Sequence, residues 1–78
     1  MELTRKTFDV GVHSLTLTYK GFELNAEEAK CWYDIIKSCI PEEYFIDLIY
    51  FFCQRESAPT CPSELINFGL KVVVPDRF

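Results

Sequence analysis

The chain has 78 residues, of which 49% are apolar and 15% aromatic, with a formal charge of −4. That length holds one domain, residues 1–78, because two halves of about 40 residues would each lack a core. The apolar share excludes a disordered chain, and twelve acidic against eight basic residues argues against direct binding of nucleic acid through its phosphates.

Met1 to Asp9 carries Arg5 and Lys6 with no apolar run behind them, so no secretory leader is expected. The most apolar stretch, Tyr44–Cys53, has Asp47 near its middle and falls short of the roughly 20 apolar residues a membrane span needs. A cytoplasmic protein without membrane contact is the expectation, with its thiols reduced. Phe8, Val10 and Val12 alternate with Thr7, Asp9 and Gly11, and Leu15, Leu17 and Tyr19 with Thr16 and Thr18. This period of two predicts a hairpin of half-buried antiparallel strands with its turn near Gly11–Ser14. Lys20-Gly21 reads as a tight turn into a short strand, Phe22–Leu24, with the glycine able to take a positive φ.

Asn25 is a favoured helix cap, and Glu28 three residues on is placed to complete a capping box. The helix that follows gathers Ala26, Ala29, Trp32, Tyr33, Ile36, Cys39 and Ile40 on one face and ends before Pro41. Pro41 suits the first position of a second helix, expected to reach about Glu56. Phe45, Leu48, Ile49 and Phe52 form its central stripe, flanked by Ile46 and Cys53 on one side and Tyr44 and Phe51 on the other. That apolar arc covers about 220°, far wider than the roughly 100° of an ordinary surface helix. Ser57–Ser63 is a loop with two prolines. The tail alternates again through Ile66, Phe68, Leu70, Val72 and Val74, which predicts a strand ended by Pro75. A competing reading makes Ser63–Phe68 a short helix capped by Ser63, with the strand starting at Leu70.

Together these elements predict an α+β domain in which a small antiparallel sheet, built from the N-terminal hairpin and the C-terminal strand, packs on two helices in ββ(β)ααβ order. The expected core is Phe8, Val10, Leu15, Leu17, Tyr19, Leu24, Trp32, Ile36, Phe45, Leu48, Ile49, Phe52, Phe68, Leu70 and Val72. So small a domain is marginal alone, and dimerisation or partner binding would stabilise it.

Catalytic signatures are missing. His13 is the single histidine and falls in an expected turn, while a nucleophilic or acid–base site needs several converging groups. The three glycines are scattered and form no phosphate loop. Cys31, Cys39, Cys53 and Cys61 lack the spacing of a zinc knuckle, and free thiols are the ordinary reading. No enzyme and no cofactor are expected.

The surface is more informative. From Phe22 to Gln54 there are seven acidic and two basic residues, a charge of −5, while the remainder of the chain carries +1. Glu27, Glu28, Glu42 and Glu43 fall in first turns of helices, where the backbone dipole favours carboxylates and no binding role is required. Asp34 and Asp47 lack that explanation. Asp47 lines up with Glu43, Tyr50 and Gln54 on the second helix, and Asp34 follows Glu27 by two turns on the first. An acidic stripe with an embedded aromatic suits a protein-binding face. The expected function is therefore a non-catalytic acidic module that docks on a larger, basic protein as inhibitor or adaptor, through Glu27, Asp34, Glu43, Asp47, Tyr50 and Gln54. A sharper form is occlusion of a nucleic-acid-binding groove, with the acidic helices in sites otherwise taken by phosphates; in size, acidity and lack of chemistry the chain resembles phage-encoded inhibitors of host machinery, such as anti-CRISPR proteins. Two alternatives stand beside it: a homo-oligomeric structural subunit joined through Tyr44, Ile46 and Phe51, and a weaker one, a redox or metal module built on the cysteines.

Overall fold

A computed structural model describes residues 1–73 and contains four helices: α1 (Arg5–Thr18), α2 (Ala26–Lys37), α3 (Glu42–Phe52) and α4 (Pro62–Val72). Among the described residues there is no strand, only an isolated bridge between Glu2 and Pro41. The α+β expectation is thus overturned: the predicted hairpin falls in α1 and the described part of the predicted C-terminal strand in α4.

Thr4 starts α1 as its N-cap, with its hydroxyl accepting from the Thr7 N–H at 3.3 Å. Phe8, Gly11, Val12, Leu15 and Tyr19 follow at helical spacing, and Phe8, Gly11, Leu15 and Tyr19 are buried with Val12 half-buried. The same stretch also alternates with period two, and its threonines and valines favour strands, which is what misleads a local reading. In the helix Thr16 turns its hydroxyl back onto the Val12 carbonyl at 3.0 Å, so a β-branched residue is accommodated without a sheet. Gly21 does take the positive φ, +90°, in the turn after α1. Phe22–Leu24, expected as a short strand, has no regular secondary structure, and Phe22 sets its ring edge-on against Trp32 at 6.0 Å.

The Asn25 capping box forms: the Glu28 N–H donates to Asn25 Oδ1 at 2.7 Å and the Asn25 N–H to Glu28 Oε1 at 3.0 Å. Helix α2 stops at Lys37, short of Pro41, which is the N-cap of α3 rather than its first residue. Helix α3 ends at Phe52, a turn earlier than expected. Pro62 begins α4, where its missing N–H costs nothing, and Glu64 reaches back to accept from the Thr60 N–H and hydroxyl. Helix α4 replaces the expected C-terminal strand, and the short-helix alternative errs in its Ser63 cap and in a strand from Leu70. Val74 and Pro75 lie outside the described residues.

Helix α3 is the centre of the packing, in contact with α1 on one side and α4 on the other, and α2 packs on α4. Thr4 and Thr7 bond to Glu42 at one end and the Tyr19 hydroxyl reaches the Phe52 and Arg55 carbonyls, each at 2.8 Å, at the other. Helices α1 and α3 therefore run side by side in the same direction. Helix α4 returns along α3, with Phe68 edge-on to Phe52 at 5.2 Å. Tyr33 of α2 closes the ring by packing edge-on against Phe8 at 5.5 Å and donating to the Leu3 carbonyl at 2.8 Å.

One core of buried side chains draws on all four helices. It includes Leu3, Ile40, Leu65, Ile66 and Val73, which the expected core omitted, and excludes three residues placed inside it: Val10, Leu17 and Val72 are exposed. Leu24, Phe68 and Leu70 are half-buried at its margin.

Candidate functional site: a trough between two parallel helices

Glycine brings α1 close to α3. An added Cβ at Gly11 would run into the Phe45 ring and lie 2.9 Å from Ile49 Cγ1. Beyond that crossing, α1 offers only small side chains on this flank, Ser14 and Thr18, and the two helices leave a trough of about 410 Å³. Ile49 and Cys53 of α3 line it deep, while Val10 on one bank and Ile46, Tyr50 and Gln54 on the other reach its rim. Three apolar residues of its lining stand in solvent: Val10 is 53% exposed, Ile46 45% and Tyr50 64%. Isolated exposed apolar residues are normal; several gathered along a trough mark a surface for binding.

The rims differ in charge. On a helical wheel of 100° per residue, Glu43 and Asp47 follow Tyr50 and Gln54 along the outer α3 bank, and Lys6 and His13 lie beside Val10 and Leu17 on the α1 bank. Asp47 is exposed and makes no ion pair or side-chain hydrogen bond among the described residues. Glu43 accepts from the Met1 ammonium at 3.2 Å, and its own backbone N–H together with that ammonium holds its carboxyl below the usual carboxylate range.

The six residues expected to bind a partner do not form one face. Tyr50 and Gln54 line the trough, with Asp47 and Glu43 along the same stripe. Glu27 and Asp34 are exposed on α2 and take no part in the trough, and Asp34 lies 3.6 Å from Lys37 in an ion pair. The self-association set is split as well. Ile46 lies on the trough side of α3, whereas Tyr44 and Phe51 lie on the opposite flank, nearly half a turn away. Tyr44 is half-buried, and Phe51 packs edge-on against Tyr50 at 5.3 Å.

Val10, Ser14 and Thr18 escaped the sequence reading because the hairpin assignment put Val10 in one strand, Ser14 in the turn and Thr18 in the other strand. Their spacing of four is the signal that a helical reading of α1 would have used.

A second, polar hollow of about 220 Å³ lies beside α4, lined by Arg55, Glu64, Asn67, Phe68 and Lys71. The Arg55 guanidinium lies over the Phe52 ring at 4.9 Å and the Phe68 ring at 5.6 Å. Cys31, Cys39 and Cys61 are exposed free thiols and Cys53 is half-buried. Among the described residues no three His, Cys, Asp or Glu side chains are grouped to hold a metal ion, and no helix is long and apolar enough to cross a membrane.

These features define a small four-helix domain with an open apolar trough and an acidic bank. Compared with known proteins, the chain matches no family model, no curated protein and no solved structure.

Proposed function

We propose that the protein is a non-catalytic binding module that docks on a basic protein through the outer face of α3 and the adjoining trough, as an inhibitor or adaptor. The observation that carries this reading is the composition of that face: Ile46 and Tyr50 exposed beside an Asp47 that has no ion pair among the described residues. Tyrosine supplies rigid amphipathic contact area, and a rim carboxylate steers a cationic partner without having to be desolvated. Glu27 and Asp34 on α2 add to the long-range negative field rather than to the contact. Blocking a nucleic-acid-binding groove, in the manner of phage inhibitors of host machinery, is the sharper form of this proposal. Three exposed free thiols suit a reducing compartment such as the cytoplasm.

The test is affinity against salt for a purified basic partner recovered from the native host. Binding is expected to weaken as ionic strength rises and to fall about tenfold in Asp47→Lys, while Glu27→Lys changes mainly the association rate. Affinity indifferent to both Asp47→Lys and Tyr50→Ala removes the proposed face. A chain that sediments as a dimer, and becomes monomeric in Ile46→Gln, would instead assign the face to a second copy.

A further inference from the structure

We infer that the α1–α3 trough receives a single amphipathic helix of the partner, with aliphatic anchors in the trough and basic residues along the flank that lies over α3. This deepens the reading above and rests on it.

Three observations carry the inference. The first is length. Val10 to Thr18 on one bank and Ile46 to Gln54 on the other each span eight residues, about 12 Å at helical rise. Anchors at i, i+4 and i+7 of an incoming helix span roughly 10 Å, so three of them occupy the trough from end to end. The second is shape. Both walls are helices whose backbone groups are bonded internally, so this face has no strand edge to which an extended peptide could add. A trough between two parallel helices instead accepts the ridge of a third, and Ser14 and Thr18 leave the space for it. The third is charge. Asp47 follows the α3 bank, one turn from a Glu43 already tied to the Met1 ammonium, whereas Lys6 follows the α1 bank. A helix with lysine or arginine on one flank only is matched in one orientation and mismatched in the other. A second copy of this chain fits less well, since its α3 would bring its own acidic stripe to an acidic bank.

The probe is a fluorescently labelled 18-residue peptide of alanine and glutamine with leucine at i, i+4 and i+7 and lysine along one flank. Its controls are the same peptide with glutamate on that flank and the same composition broken by two central prolines. Anisotropy titrations on the full chain are expected to show saturable binding of the lysine peptide. Val10→Gln and Ile46→Gln, both exposed positions that leave the core intact, should each weaken it about tenfold. Asp47→Lys should weaken it by a similar factor and reverse the preference toward the glutamate peptide. No saturable binding at about 1 mM lysine peptide overturns the inference, as does binding unchanged in Ile46→Gln. If the proline-broken peptide binds as well as the helical one and is still lost in Asp47→Lys, the helical occupant falls while the basic-partner reading stands. If the lysine and glutamate peptides bind alike and neither responds to Asp47→Lys, both fall together.

Discussion

Gly11 and Gly69 occupy the two places where α3 is approached most closely. A methyl group at Gly11 meets the Phe45 ring, and one at Gly69 meets the buried end of Leu48 and lies 3.1 Å from Ile40 Cδ1. Alanine would raise helix propensity by about 1 kcal/mol at either site, while overpacking a filled core costs about 1–3 kcal/mol. An aromatic ring has fewer ways to yield than a leucine methyl. Gly11→Ala should therefore lose about 1–2 kcal/mol in urea unfolding and Gly69→Ala less; a gain of stability in Gly11→Ala would show that the crossing is not tight. Tyr19 is a second point of dependence. Its hydroxyl shares one proton between the carbonyl of Phe52, the last residue of α3, which also accepts from the Arg55 N–H, and the carbonyl of Arg55 beyond the helix, and burial pushes the phenol above its ordinary pKa. Tyr19→Phe is expected to cost about 1 kcal/mol by the same measurement, because the two carbonyls lose a shared donor. Neither role was legible locally. A glycine at a core position of α1 reads as a turn, and Tyr19 reads as one more alternating apolar residue.

At the scale of elements, the starts of α1 and α3 are fastened by one side chain. Glu42 accepts from the Thr4 N–H at 3.0 Å, the Thr4 hydroxyl at 3.2 Å and the Thr7 hydroxyl at 2.7 Å, and the first of these does most to hold its carboxyl below the usual range. Glu64 is lowered likewise, chiefly by the Thr60 hydroxyl. A carboxyl whose pKa is lowered by folding contributes stability that is present above its unfolded value, about 4.3, and is lost as pH falls through the folded value. Melting temperatures should accordingly drop on acidification below about pH 5, and Glu42→Gln should flatten that limb while lowering the neutral-pH plateau. An unchanged limb in both Glu42→Gln and Glu64→Gln would place the acid sensitivity elsewhere. Helices α2 and α3 could be read from the chain because cap, proline and apolar stripe agree there. Helices α1 and α4 could not, because β-branched residues at alternate positions outweighed quieter marks: Thr4 as a cap, Pro62 at a first position, and buried pairs such as Leu65 and Ile66. What decided the outcome was tertiary, since a helix pairs its own backbone and a lone hairpin beside two helices would have had to find sheet partners.

For the whole molecule, the over-wide apolar arc of α3 proved the most informative sequence feature. Its centre is buried between α1 and α4, and Ile46, Tyr50 and Phe51 remain 45%, 64% and 43% exposed. The sequence therefore pointed to a helix that keeps apolar side chains in solvent. It could not supply the opposite bank, because that bank is made by a segment misread as a strand, nor could it show that Glu27 and Asp34 belong to another surface. Charge reversal should separate the two surfaces. Asp47→Lys is expected to lower both the affinity and the association rate of a complex, and Asp34→Lys, whose carboxylate is already paired, to change chiefly its salt dependence, both read by surface plasmon resonance at two ionic strengths.

The leading segment of the chain finds all its long-range bonds far downstream: Leu3 with Tyr33, Thr4 and Thr7 with Glu42. During synthesis at about 5–20 residues per second, α1 thus leaves the ribosome roughly 2–8 s before the residues that anchor it exist. Through that interval its greasy side, Phe8, Val12 and Leu15, lacks the α3 surface it packs on, and protection of the nascent chain by a chaperone should lapse only once Phe52 has emerged.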